Sequence, residues 1–339
     1  MVTQLDVAKR AGVGRRTVSN VVTGFPYVSQ GVRERVLRAI DELGYVPNRA
    51  AQQLRTGRSG VIALTVPDVG VGYFGELGNL VVEEAAALGL GTVVAQTRGS
   101  RDGELAEIER ILALQPDGLI MSPLELSQRD LESITARTSV ALIGEHFVDG
   151  PVRPIAIDNV IAASEVVAHL IASGREHIAF LGMLGASPRF NELRRRGYAD
   201  ALSSAGLQPA TGVEVADFTT ADGFDSGVAV AARIAGGERI DAIFCVTDEV
   251  AIGVVRGLHD AGIRVPDDVA VAGFDDIVEG RYSTPRLTTI APDKREIARR
   301  AVAMVLGEEV DPAGIEYRLE LRESTTGVVD GGLDGHQRR

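Results

Sequence analysis

The side chains best suited to chemistry cluster near the amino terminus, in LDVAKRAGVGRRTVSNVV at residues 5–22. The spacing predicts two short helices crossing at a turn. Ala8 is the small residue at the crossing, Gly12 makes the turn, and Val13, Val18 and Val21 anchor the second helix. Arg15, Arg16, Thr17, Ser19 and Asn20 are then left facing outward at the start of that helix. These residue types suit DNA: an arginine fork reads guanine, asparagine reads adenine, and hydroxyls take phosphate oxygens. The plain alternative is a helical hairpin with a solvated charged face.

Elsewhere the chemistry is thinner. Gly70 to Gly75, GVGYFG, matches G-x-G-x-x-G, and Arg98 after the next strand pattern is compatible with NADP. A dinucleotide fingerprint, however, sets its first glycine in a tight turn directly after the strand, whereas Pro67, Asp68 and Val69 intervene here. The five histidines (His146, His169, His177, His259 and His336) show no H-E-x-x-H or related ligand spacing. GASPRF at 185–190 is not a nucleophile elbow. Asp275-Asp276 follows a strand pattern, where an acidic pair more often caps a helix or binds a hydroxyl than holds metal. Asp248 is read as the cap of the helix after it. Cys245, in AIFCVTD, is expected to be an inert core thiol. No catalytic constellation, metal or cofactor is expected.

Charge is distributed unevenly. The net charge over 339 residues is −12, yet residues 1–60 hold ten Lys or Arg against Asp6, Glu34, Asp41 and Glu42, giving +6. The remainder carries −18, so only a small basic head is suited to phosphate. With 45% apolar residues the chain can bury ample core, and no apolar run reaches the roughly 18 residues of a membrane span. MVTQLDVAKR runs straight into a polar amphipathic pattern without a signal peptide's apolar region, so a cytoplasmic protein is expected.

These groups need a frame. Thr3 and Asp6 form a capping box for a first helix that Gly12 ends, a second helix runs from about Arg15 to Val22, and Ser29 opens a third. In the third, Val32, Val36, Ile40 and Leu43 share one face, and Gly44 stops it. A short helix-competent stretch, Arg49 to Arg55, leads into a Thr-Gly-Arg-Ser-Gly linker at 56–60. From Val61 strand patterns alternate with helical ones: VIALTV, GTVVAQ, DGLIMS and SVALIG, then HIAFLGM, GVEVADF, AIFCVTD and DVAVAGF. The alternation predicts an α/β architecture of two parallel sheets, forming two lobes with a cleft where the strand ends collect. The tail after Gly327 is Gly-rich and expected to lack structure.

The chain resembles the lactose-repressor (LacI/GalR) family of transcription regulators throughout. The likeness rests on TVS at 17–19, GYVPN at 44–48, AAQQL at 50–54, ASGREHIAFLG at 172–182, RRRGYADAL at 194–202, TDEVAIGVVRGLHDAGIRVPDDVAVAGFDD at 247–276 and PRLTTI at 285–290. It implies a helix-turn-helix headpiece at 1–46, a hinge helix and linker at 47–60, a two-lobed periplasmic-binding-protein-like effector and dimerisation core at 61–327, and a tail at 328–339.

Further, the resemblance implies a homodimer on double-stranded operator DNA, a sugar- or nucleoside-type effector and repression, without enzymatic activity. Arg15 and Arg16 fall on the positions that select the operator, and Leu54 on the hinge leucine that wedges into the minor groove. Thr3, Ser29, Tyr45, Asn48 and Ala51 complete the DNA-contacting set. The family commonly has arginine at Asn20 and serine at Gly14. Around the cleft the resemblance assigns Tyr73, Phe74, Glu145, Phe190, Arg194, Phe218, Thr247 and Asp275 to the effector. Glu145 stands where aspartate is frequent and Thr247 where asparagine is. The aromatic pair Tyr73 and Phe74 is kept without the family's preceding Asn-Pro. An arginine, carboxylates and flat aromatic faces suit a polyhydroxylated ring. Two rival readings are weaker: an exported uptake protein has no use for the basic head, and an NADP enzyme conflicts with the loop spacing.

Overall fold

A computed structural model describes residues 2–22, 25–45, 57–146, 152–183, 188–210, 213–215 and 217–327. The chain divides into two compact units, Met1–Gly60 and Val61–Arg339.

The first unit contains α1 (Gln4–Ala11), α2 (Arg15–Val22) and α3 (Gln30–Leu43). The α1 capping box forms as expected: the Asp6 amide donates to the Thr3 hydroxyl and the Thr3 amide to the Asp6 carboxylate. Gly12 ends α1 in the left-handed conformation, φ +66°, which glycine adopts without a Cβ penalty. Val7, Ala8, Ala11, Val18, Val21, Val36 and Ala39 form the small core. Ser29 is the N-cap of α3 but makes no side-chain cap hydrogen bond.

The second unit begins with β1 (Val61–Val66), α4 (Gly72–Ala87), β2 (Gly91–Gln96), α5 (Arg101–Ala113), β3 (Leu119–Met121), α6 (Gln128–Thr135) and β4 (Val140–Leu142). These strands are parallel in the order β2-β1-β3-β4. The pattern then repeats with α7 (Asn159–Ala172), β5 (Ile178–Gly182), α8 (Arg189–Ser204), β6 (Val213–Glu214), α9 (Thr220–Ala235), β7 (Ala242–Cys245), α10 (Asp248–Asp260) and β8 (Ala270–Ala272), in the parallel order β6-β5-β7-β8. Each sheet reverses its strand order beside its first strand, and the crevice beyond the strand ends at such a point is where α/β folds bind ligands. Ile62, Leu64, Ile120, Ala179, Leu181 and Ile243 are fully buried, as expected of strands covered by helices on both faces.

After β8 come α11 (Val278–Tyr282), β9 (Thr289–Pro292), α12 (Lys294–Val305), β10 (Tyr317–Glu320) and α13 (Glu323–Thr326). β9 and β10 pair antiparallel, an element that the alternating patterns did not predict. α12 returns to pack beside β3 in the first lobe, so close that a Cβ on Gly118 would lie 2.5 Å from Val305 Cβ. The first-lobe sheet is therefore covered by a helix contributed from the far end of the chain.

Candidate functional site

In the head, Arg15 and Arg16 are exposed at the start of α2, while Thr17, Ser19 and Asn20 are half-buried along it. Val18 and Val21 are buried beneath. Thr3 and Ser29 are exposed, Thr3 being engaged with Asp6. Tyr45 is only 8% exposed, so most of its side chain serves packing in the head. Asn48, Ala51 and Leu54, with the expected hinge helix, lie outside the described residues, as does the tail from 328.

The second unit holds a cleft of about 1010 Å³ between its lobes, and all eight residues assigned to the effector line it. They arrive from successive strand ends and helix starts: Tyr73 and Phe74 at the beginning of α4, Glu145 beyond β4, Phe190 and Arg194 on α8, Phe218 before α9, Thr247 beyond β7 and Asp275 beyond β8. The ring centroids of Tyr73 and Phe74 are 5.3 Å apart in an edge arrangement, and those of Phe190 and Phe218 are 5.0 Å apart.

Arg194, 7% exposed, organises the floor. Its Nε donates to Asn159 Oδ1 at 2.8 Å, Nη1 to the Val246 carbonyl at 2.6 Å, and Nη2 to Asp275 Oδ1 at 3.0 Å. The guanidinium also lies 3.6 Å from the Phe274 ring centroid, a cation–π contact. Asn159 in turn donates to Glu145 Oε1 at 2.5 Å, so a carboxylate, an amide, a guanidinium and a second carboxylate form one chain of hydrogen bonds. Burial raises the pKa of Asp275, outweighing the opposing pull of Arg194. It raises that of Glu145 too, against Arg194 and Asn159. The Tyr73 hydroxyl is likewise driven up by burial and then by the charges of Asp275 and Glu145. The carboxyl oxygens of Glu145 and Asp275 are suited to hydrogen-bonding a hydroxyl.

The family model for bacterial regulatory proteins of the lacI family matches residues 3–48, and that for a periplasmic binding protein-like domain matches residues 167–325. Catabolite control protein A of Priestia megaterium is 31% identical, over 96% of this chain and 99% of its own. The chain belongs to the LacI family. Its fold matches the lac repressor dimer bound to operator and an anti-inducer, with a TM-score of 0.80 and 28% identity, over 96% of this chain and 99% of that one. It also matches the transcriptional regulator CelR in complex with cellobiose, with a TM-score of 0.65 and 29% identity, over 96% and 100% of the respective chains.

Within this LacI-family frame the structure corrects the reading of Asp248 and adds Asn159 and Glu249 to the residues around the cleft. Asp248 does not cap α10; Thr247 does, accepting from the Val250 amide. Asp248 is fully buried and instead accepts from the Ile277 amide and the Thr289 hydroxyl at 2.9 and 2.7 Å. Burial pushes its carboxyl well above the usual range. Asp276 pairs with Arg281 and Arg322, and among the described residues no group of three or more His, Cys, Asp or Glu is placed to hold a metal. Cys245 is buried, and burial raises its thiol pKa.

Asn159 and Glu249 escaped the sequence reading. Asp158-Asn159 looks like a plain helix cap, and Asp158 does cap α7. Glu249, in TDEVA, looks like an acidic first-turn residue favoured by the helix dipole. Glu249 finds its partner, the Gly72 amide, in the other lobe, whereas Asn159 joins Arg194 of its own lobe to Glu145 beyond β4.

Proposed function

We propose that this chain is a ligand-responsive transcriptional repressor, acting as a homodimer on a pseudo-palindromic operator and responding to a sugar- or nucleoside-type effector held in the cleft. Binding rather than turnover is the role we assign to the cleft, and the cytoplasm is its place of action. The single observation carrying the reading is that one LacI-family chain joins an exposed arginine face on a three-helix head to a cleft lined by all eight effector-assigned residues. The lac repressor dimer bound to operator and CelR bound to cellobiose supply the precedents for partner and ligand class. The domain limits we adopt are a head at 1–46, a hinge and linker at 47–60, a core at 61–327 and a tail beyond. Leu54, Asn48 and Ala51 are assigned to the hinge's DNA contacts.

Full-length protein tested by footprinting on its own intergenic DNA should protect two half-sites, with affinity falling steeply as salt rises through counterion release. Adding the effector should change that affinity by a coupling of typically ~1–3 kcal/mol, reciprocal between ligand and operator. Protection of a single unpaired half-site would overturn the dimer. A tightly binding ligand that leaves operator affinity unchanged would overturn the switch, because equal affinity for both states shifts nothing.

A further inference from the structure

Two helices, one in each lobe, begin without a cap of their own. Val71 stands at the N-cap of α4 in the first lobe and Ile277 at that of α11 in the second, and neither side chain can accept a hydrogen bond. Each helix start is met instead by a glutamate from the opposite lobe. Glu249, at the second position of α10 in the second lobe, accepts from the amide of Gly72, the first residue of α4, at 2.9 Å. Glu76, one turn into α4, accepts from the amide of Val278, the first residue of α11, at 2.7 Å. The other Glu76 oxygen pairs with Lys294, the first residue of α12, whose Nζ also donates to the Asp276 carbonyl at 3.0 Å. The exchange is reciprocal: each lobe supplies a carboxylate and receives one. At the start of the long helix α4 the dipole adds to the hydrogen bond.

The lobes fit closely at this point. A Cβ on Gly72 would lie 3.3 Å from Glu249 Oε1, Glu279 Oε2 and Ile277 Cβ, all of the second lobe, so it is glycine that lets α4 begin against them. The two halves of the exchange differ in charge. Glu76 has a cation, Lys294. Glu249 stands among carboxyls: Glu279 of α11, Asp275 beyond β8 and Asp248 on its own helix. Its Oε2 is shut off from solvent and has no hydrogen-bond partner among the described residues. Burial, then Asp275, pushes the Glu249 carboxyl up to about 7, against the pull of its own amide and that of Gly72. A carboxyl whose pKa rises when the lobes meet favours their meeting below that value. This half of the contact is therefore firmest in mild acid.

We propose that Glu76 and Glu249 form a two-sided clasp that draws the lobes together and sets their resting angle. Both contacts are between protein groups alone, so that angle is a property of the chain, whatever class of ligand the cleft takes. A ligand shifts it only by binding one setting better than another. The test is hydrogen exchange on the full-length chain at pH 6 with no ligand added, read at single amides by mass spectrometry with fragmentation. In the parent, the Gly72 and Val278 amides should exchange slowly, Val278 despite its exposed side chain. Glu76→Ala removes the acceptor of Val278, and Glu249→Ala that of Gly72. In a clasp each half depends on the other, so each variant should speed both amides by roughly tenfold or more, as expected for a hydrogen bond to a charged group. Gly72→Leu keeps both carboxylates and the partner of Lys294 but crowds the joint, and it should speed Val278 as well.

The amides of the fully buried Leu64 in β1 and Ile243 in β7 should stay slow throughout, showing that each lobe remains folded. Should Glu76→Ala lose them, because it strips the buried Lys294 of its partner, Gly72→Leu decides the matter. Gly72 and Val278 amides that exchange freely in the parent overturn the proposal. So do alanine variants that each speed only the amide they had bonded, which would make the two glutamates separate local caps. A Gly72→Leu variant that leaves Val278 as slow as in the parent overturns it too.

Discussion

Arg16 and Arg194 are the same side chain in opposite circumstances. Arg16 is exposed on a short helix, over a head whose core is a handful of valines and alanines. Arg194 is 7% exposed, hydrogen-bonded to an amide, a carbonyl and a carboxylate, and stacked on Phe274. An exposed arginine keeps its fork for an outside partner, and the protein's own stability scarcely depends on it. A buried one has already made its bonds, so it contributes by holding Asp275 and Asn159 where a ligand finds them. Recognition in the head is thus carried by what protrudes, and in the cleft by what is fixed in advance. Mutation should therefore separate the two: loss of partner without loss of fold in one region, loss of both in the other.

The largest effect is expected at Arg194. Arg194→Ala leaves Asp275 and the Asn159–Glu145 pair buried without their cation, and breaking such a pair costs roughly 3–5 kcal/mol. Denaturant unfolding of the core should show this as a lower midpoint at unchanged slope. Arg194→Lys should recover only part of it, because a point charge cannot reproduce the planar fork. A loss below about 1 kcal/mol would mean that the network is dispensable and the contrast with Arg16 false.

Glu249 gives a contrast in pH. A carboxyl whose folded pKa is raised favours the native state below that pKa and loses this advantage as pH climbs from the unfolded value towards about 7. Glu249→Gln does not titrate, so its stability relative to the parent should rise between pH 5 and 8. The gap approaches about 3 kcal/mol, taking about 1.4 kcal/mol per pH unit. Parallel stability curves for parent and variant would show that Glu249 does not carry the shift.

How far these sites were readable from sequence follows the same division. The head is local: Thr3 to Asp6, Gly12, and the valines of α2 and α3 act within a few turns of one another, and the three predicted helices appear where the spacing put them. The strands of both lobes were legible for a related reason, since apolar runs between amphipathic helices read as buried parallel strands. What stayed hidden depends on distant partners. Asp248 looks like a cap, yet its partners are Ile277 and Thr289. Added Cβ atoms at Gly223 and Gly253 would meet Val250 O at 2.3 Å and Thr220 O at 2.1 Å, and those at Gly227 and Gly257 would meet Val254 O at 2.6 Å and Phe224 O at 2.5 Å, so α9 and α10 approach closely through glycines on both helices. The eight effector-assigned residues came from family resemblance, and their convergence on one cleft depends on contacts between segments far apart in sequence.

A smaller effect, in binding rather than folding, is expected at Arg16. Arg16→Ala should cost ~1–3 kcal/mol of operator preference while most nonspecific binding is retained. The stability of the head should change by no more than about 0.5 kcal/mol. Competition between operator and scrambled duplex measures the first, thermal unfolding the second. Equal losses on both duplexes would make Arg16 a phosphate contact and leave sequence reading to Arg15 and Asn20.

Thr3 sharpens the comparison most finely, because one exposed hydroxyl is assigned two roles. It donates to Asp6 Oδ2 at 2.7 Å and accepts from the Asp6 amide, and it is also in the set assigned to DNA. The hydroxyl's hydrogen bond is the main reason that the Asp6 carboxyl lies below its ordinary value. A carboxyl lowered in the folded state stabilises it above the unfolded pKa, and that contribution disappears as pH falls through the folded value. Thr3→Ala should therefore cost the head about 1 kcal/mol near neutrality, a typical N-cap loss, with the deficit shrinking in acid. Thr3→Ser should restore it. Operator affinity, measured well below the melting temperature, then isolates the second role. A head that is still almost entirely folded binds as well after losing about 1 kcal/mol of stability as before. Any fall in affinity for Thr3→Ala under those conditions belongs to a lost contact with DNA. Unchanged affinity, with the stability loss and its serine rescue both present, would make Thr3 a cap alone and remove it from the protruding set that defines the head.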